Sequence, residues 1–360
     1  MKPLVVTMSV IVLALGFLQA AAQPVSKPIA VDWVTPVADV PRPAKLNIGY
    51  ITNIFITQFA GAREKGWYDE LGVKHIEFLR FTSGSPMLQA IAAGKIDIAY
   101  IGSGPVVTAA HQGVPVKSVA ATSKDPYAFI AIDAFADLYA TNRTAAAFAA
   151  FTKQAGRKLQ IGTAPRFTTP DVLLHMWLVS LGASPEQDVD IVPMGTDQLV
   201  AAMLAGQIDG VVYGEPQITL LRQANPRFKA FYGKDFVPDS PGGVVMVQQR
   251  LIDQYPGIVE KLVEIHLRAN KLFNADKDFF ARTVTRLLGE EFLPLAVAQA
   301  AVRSPAITMV TNPRTLADTL AAYDAFLVQQ GVWPKPLKIE EVFDYRFYDA
   351  VVAKHPELAD

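Results

Sequence analysis

The chain has no cysteine. That excludes a disulfide scaffold, thiolate zinc or iron–sulfur sites, thiol catalysis and an acylated N-terminal cysteine. It also lacks an excess of either charge, with 33 basic side chains against 34 acidic ones. No basic stripe recommends nucleic acid as a partner. Neither GxGxxG nor GxxxxGK[ST] occurs, so dinucleotide and phosphate-loop sites have no support. The segment IGSGP around Ser103 lacks the first glycine of a GxSxG elbow. His75, His111, His175, His266 and His355 are scattered, with no HExxH or His-x-His spacing. No metal site, no cofactor and no catalytic residue is therefore expected.

What is present describes an ordinary globular protein. The 360 residues are 51% hydrophobic and 19% charged. At roughly 150 residues per domain, two domains are expected. Lys2 gives a positive start, 4–18 is almost continuously apolar, and 20–22 is a run of alanines. Residues 1–22 thus read as a secretory signal, with an apolar core too short to span a bilayer. The expected product is periplasmic and not lipid-anchored. Pro24, Pro28, Pro36, Pro41 and Pro43 make 23–43 a proline-rich, extended tail.

The body repeats itself. KLNIG at 45–49 returns as KLQIG at 158–162, and AGKID at 93–97 returns as AGQID at 205–209. Each copy alternates strands and helices, which predicts parallel α/β lobes. An offset of 113 or 112 residues is too long for a solenoid, so two similar lobes are expected. Helical patterns at 255–274, 277–288, 295–303, 313–330 and 339–354 do not repeat and are assigned to the first lobe. Apolar strands at 126–132 and 242–247 bracket the second copy, as a two-segment hinge would require. The expected division is 44–132 and 241–360 for lobe 1, and 133–240 for lobe 2.

Three helix starts share one pattern. Ser83, Gly84, Ser85 and Pro86 precede one helix, Gly102, Ser103, Gly104 and Pro105 a second, and Thr168, Thr169 and Pro170 a third. A hydroxyl cap followed by proline marks a helix N-terminus. Such ends present N–H groups that suit an anion, and in parallel sheets they gather where the strands finish. Each cap alone could simply satisfy its own helix. Glu215 could meet a ligand ammonium or bond a neighbouring backbone. Asn53 and Phe55 follow the first strand, and Tyr100 and Phe167 also adjoin strand ends. Trp177 lies on a helical face and is expected in the core.

These residues carry a resemblance. FTSGS at 81–85, LQAIAAGKID at 88–97, GSGP at 102–105 and GVP at 113–115 resemble periplasmic substrate-binding proteins of ABC importers. The group in question binds taurine, alkanesulfonates and nitrate. GWY at 66–68, Thr168 with Thr169, DVDIV at 188–192 and Glu215 with Pro216 extend the likeness. It implies a type II periplasmic binding protein fold, with two α/β lobes, a two-segment hinge and helices on the first lobe. It further implies a small anionic or zwitterionic solute, ABC permease membrane subunits as partners, and a monomer. The taurine binders look closest, which assigns the solute to Asn53, Phe55, Ser83, Gly84, Ser85, Ser103, Gly104, Thr168, Thr169 and Glu215. Nitrate, bicarbonate or a pyrimidine precursor on the same fold is the alternative, and a secreted enzyme is the rival. The enzyme branch of this group carries a cysteine-rich motif that is missing here.

Overall fold

A computed structural model describes residue 31 and residues 40–51, 53–54 and 57–360. The expected signal segment, most of the proline-rich tail, and Phe55 lie outside the described residues. The chain runs through β1 (Lys45–Ile51), α1 (Thr57–Glu64), β2 (His75–Phe81), α2 (Gly84–Ala92), β3 (Ile98–Gly102), α3 (Gly104–His111), β4 (Val116–Ala121) and a short β5 (Ser123–Lys124). It continues with β6 (Tyr127–Ala131), α4 (Asp133–Thr141), α5 (Ala145–Ala155), β7 (Leu159–Thr163), α6 (Thr169–Ser180), β8 (Val189–Pro193), α7 (Thr196–Leu204), β9 (Gly210–Gly214), α8 (Gln217–Ala224) and β10 (Lys229–Tyr232). It closes with β11 (Gly243–Gln248), α9 (Gln249–Gln254), α10 (Pro256–Ala275), α11 (Lys277–Leu288), α12 (Leu295–Ala301), β12 (Thr308–Met309), α13 (Ala317–Gln329) and α14 (Arg346–Lys354).

Two five-stranded sheets result, ordered β2-β1-β3-β11-β4 and β10-β6-β9-β7-β8. In each, the repeated strands pair in parallel and the returning strand, β11 or β6, pairs antiparallel. The second sheet is buried on both faces. Tyr127, Phe129 and Ala131 of β6 enter the core around Trp177, while Ala128 and Ile130 enter the core around Leu199 and Met203. Period-two alternation sends successive side chains to opposite layers. Trp177 is the centre of an aromatic cluster with Phe129, Tyr139, Phe148 and Phe236. The C-terminal helices join the core of the first sheet.

The repeated motif is a folding device. Asp97 accepts the Asn47 N–H at 2.8 Å, and Asp209 accepts the Gln160 N–H at 2.9 Å. Each aspartate is buried and pairs with an arginine, Arg250 or Arg157. The carboxylate satisfies a strand N–H that the parallel ladder leaves over. At Gly162, in the repeat, a Cβ would stand 2.5 Å from the tip of the buried Ile208 side chain, so a larger residue would have to displace it. Gly94 and Gly206 end their helices at φ +70° and +68°, the left-handed region glycine enters without strain.

The sequence expectation placed 126–132 with the first lobe. The structure differs, because β6 is hydrogen-bonded into the second sheet by β9 and β10. The chain therefore passes between sheets before Tyr127, and returns before Gly243. These two crossings touch. Asp125 N–H donates to Ser240 O at 2.9 Å, and Ser240 N–H donates to Asp125 Oδ1 at 2.6 Å. A Cβ on Gly242 would stand 2.2 Å from Ser123 O, so only glycine lets the strands meet. The expected helix at 339–354 is also interrupted. Phe343 bridges to Ser118, and Asp344 N–H donates to Ser118 O, so sheet pairing overrides helix propensity there.

His266 of α10 is fully buried, and its Nε2 bonds Ala121 O at 2.7 Å, bracing the strand that leads to the crossings. Burial pushes its pKa down to about 4.

Two measurements test this scaffold. Asp209→Ala should lower unfolding free energy by about 2–3 kcal/mol in urea denaturation, because it strands the Gln160 N–H and removes a charge-assisted bond. His266 binds its proton more weakly folded than unfolded. Its contribution is complete above pH 6.5 and is lost as pH falls from 6.5 through about 4. Stability should drop by about 3 kcal/mol over that window relative to His266→Gln, and parallel pH profiles would refute the assignment.

Candidate functional site

Strands β1, β3 and β7 deliver their C-terminal ends to one cleft between the sheets. The cavity there is lined by Ile51, Asn53, Ser83, Gly84, Gly102, Pro105, Tyr127, Ala164, Thr168, Thr169, Pro170 and Tyr213. No charged side chain is among them. The polar groups are hydroxyls, the Asn53 amide and helix starts, and the remainder is apolar. The enclosed volume is about 20 Å³, room for one water-sized group.

Helix geometry arranges this. Ser83, Ser103 and Thr168 are the N-caps of α2, α3 and α6, yet none of the three bonds its own helix through its side chain. Thr168 instead donates to Pro165 O at 2.6 Å. Self-capping, the bland alternative for these residues, is not what their hydroxyls do. First-turn N–H groups and the helix dipoles favour negative charge at these ends, and no charged side chain lines the cavity.

The two halves meet across the cleft. Thr169 Oγ1 accepts the Gly104 N–H at 2.9 Å, and Tyr127 hydrogen-bonds the same hydroxyl. Thr196 donates to Thr82 O at 2.9 Å and bonds the Tyr213 hydroxyl at 2.6 Å. Ile54 N–H donates to Glu215 O at 3.1 Å. Gly104 is confined from both sides: a Cβ would lie 2.4 Å from the Tyr323 hydroxyl and 3.0 Å from Thr169 N.

Of the expected residues, Asn53, Ser83, Gly84, Thr168 and Thr169 come together in the cavity wall. Gly104 reaches it through Thr169. Ser85 does not line it, because α2 starts two residues earlier than the proline suggested and Ser83, not Ser85, is the cap. Ser103 is fully buried behind the wall, its N–H donating to Gly242 O at 2.9 Å. Glu215 is fully buried and bends back to its own helix, Oε2 accepting the Thr219 N–H at 3.0 Å. Burial raises its pKa, opposed by hydrogen bonds from Ser304 and Thr219. Tyr100 lies in the core, bonded to the Tyr68 hydroxyl at 3.0 Å. Tyr127, Thr196 and Tyr213 were not anticipated. The repeat register held the signal for Tyr213: Tyr100 corresponds to core residue Val212, so the pleat turns the next side chain to the other face. Among the described residues no group of three or more His, Asp or Glu could hold a metal, and no helix is long and apolar enough to cross a membrane.

Residues 39–288 match the NMT1-like family. The chain belongs to that family. One relative is the nitrate import ATP-binding protein NrtC of Synechococcus elongatus, 23% identical over 81% of this chain and 44% of its own length. Another is the nitrate/nitrite binding protein NrtA of a Nostoc species, 25% identical over 63% of this chain and 53% of its own. The chain thus spans about half the length of these relatives. Among solved structures, the alkanesulfonate-binding protein SsuA of Xanthomonas axonopodis pv. citri, bound to MOPS, superposes with a TM-score of 0.69 at 18% identity, covering 85% of this chain and all of that one. The periplasmic nitrate-binding protein NrtA of Synechocystis PCC 6803 gives 0.73 at 15% identity, covering 89% and 92%. The fold is therefore that of a type II periplasmic binding protein, as the resemblance implied.

If Gly104 is the point where the halves seat, a methyl group there must hold them apart. Gly104→Ala should enlarge the radius of gyration in small-angle scattering while leaving circular dichroism unchanged. An unchanged radius would show that the contact can move aside.

Proposed function

We propose that this chain is the extracytoplasmic solute-binding component of an ABC importer, that it captures a small anion with an organosulfonate head, and that it hands the solute to a permease. The observation that carries this is the set of three helix starts, two with their cap residues in the wall, whose cap hydroxyls make no bond to their own helices, beside a cleft without charged side chains. Neutral N–H and O–H donors serve strong-acid anions, which stay ionised and accept several charge-assisted bonds. The apolar lining of Ile51, Pro105, Ala164 and Pro170 suits an organic tail. No carboxylate lines the cavity, which favours an alkanesulfonate over taurine, whose ammonium would go unpaired. Nitrate is the second reading, supported by the nitrate-binding relatives.

The mechanism is hinge closure. The lobes turn about the paired crossings at 124–127 and 232–243, with β6 carried by the second lobe. Thr169 Oγ1 takes from Gly104 N–H the bond that an anion oxygen would take. A solute therefore parts Thr169 from Gly104, inserts, and reconnects both lobes through itself, shifting the open–closed balance. Catalysis forms no part of this proposal.

Calorimetry with short alkanesulfonates, taurine, nitrate and bicarbonate is the direct test. An alkanesulfonate should bind best, and at about 100 times its Kd it should stabilise the fold by about 2.7 kcal/mol. Thr169→Val keeps the shape but deletes the hydroxyl, and should weaken that ligand roughly 10- to 150-fold. Binding of nitrate or bicarbonate alone would replace the sulfonate reading, and no binding of any of them would end it.

A further inference from the structure

A second cavity, of about 100 Å³, opens on the far side of α6 from the cleft. Its wall combines Arg166, Phe167, Asp171, Val172 and His175 with Glu186 and with Phe326, Leu327, Gln330 and Val332 at the end of α13. It is thus shared between the two lobes. Asp171 is 3% exposed. Its Oδ2 accepts the Phe167 N–H at 2.9 Å, and its Oδ1 is buried with no hydrogen-bond partner. His175 Nδ1 stands 3.8 Å from Oδ1, and it donates instead to Asp171 O at 2.8 Å. Arg166 lies over the Phe167 ring, 5.6 Å from its centroid.

Two carboxylates, Asp171 and Glu186, thus face one guanidinium, Arg166, inside apolar walls, and Asp171 Oδ1 is the polar atom left without a partner. A buried carboxylate oxygen without a partner is costly, and a ligand with N–H donors and a short hydrocarbon body relieves it. We propose that this cavity is a binding site for a primary alkylammonium group, with Asp171 Oδ1 as its principal partner. Burial raises the Asp171 carboxyl above its ordinary range, opposed by His175, by the Phe167 N–H and by Arg166. The site is separate from the solute cleft, although Asp171 and Thr169 share one turn of α6.

The test is titration of the full chain with n-butylammonium chloride, followed by calorimetry and by methyl NMR of Val172 and Val332. Saturable binding that moves both methyl signals is expected. n-Butanol, which has the same body and no charge, should bind at least tenfold more weakly. Asp171→Asn, which keeps an acceptor for Phe167, should weaken the ammonium roughly tenfold or more. Val332→Phe, which fills the cavity and leaves the carboxylate, should abolish binding. No saturation, equal binding of butanol, or indifference to both cavity variants would overturn the proposal.

Discussion

Asp125 and Ser240 hold the two crossings of the chain side by side, and the rest of the molecule depends on that pairing. One N–H···O bond runs each way between the crossings, at 2.9 and 2.6 Å. Gly242 contributes by having no side chain where Ser123 O comes within van der Waals distance. Asp125 and Asp239 both take left-handed backbone angles, φ 51° and 54°, which aspartate tolerates better than most residues. Lys124 pairs with Asp239 across the crossings at 2.5 Å. Two tethers in register restrict the lobes to a narrow set of relative movements, and they aim the strand ends of both sheets at one gap.

Once the strand ends face each other, helix geometry supplies the electrostatics. A parallel strand followed by a helix leaves that helix's N-terminus at the strand's C-terminal edge. Three such termini meet here from two lobes. Each carries the first-turn N–H groups that have no partner within the helix. The cleft is thus made attractive to an anion by dipoles, with no charged side chain in its wall. Asp97, Asp209 and Glu215 lie close in sequence to cleft elements, but each is committed to a backbone N–H of the scaffold.

The cleft and the amine-accepting cavity share α6, and the same turn serves both. Thr168 and Thr169 line the cleft, while Asp171 holds Phe167 at φ 64° and lines the cavity against α13. Tyr323 of α13 then donates to Phe167 O at 3.4 Å and packs over Gly104. His111 and Asp324, 2.5 Å apart and buried, tie α3 to the same helix. Helix α13 is therefore more than cover for the first lobe, since it buttresses two of the three helix starts.

Local chemistry determined a good deal by itself. The repeats at 45–49 and 158–162, and at 93–97 and 205–209, show two parallel α/β units because strand apolarity, the terminal glycine and the aspartate are all local requirements. The helices at 277–288 and 256–275 follow the apolar spacing closely. The pair α4 and α5 has weaker local signals, the second marked by Thr144, whose Oγ1 accepts the Ala146 N–H, and by Gly156 at φ 70°. The family likeness needed only the motifs, and so did the grouping of Asn53, Ser83, Gly84, Thr168 and Thr169 that the structure gathers in one cavity wall. Tertiary structure decided the rest. It alone assigned β6 to the second sheet, since antiparallel pairing joins residues far apart in the chain. It placed Ser83 rather than Ser85 at the wall, because the helix start depends on where β2 ends. It turned Glu215 inward and brought Tyr127, Tyr213 and Thr196 to the cleft. A side chain's type is local, but which layer it faces is set by pairing register and lobe contact, and neither is written at the residue itself.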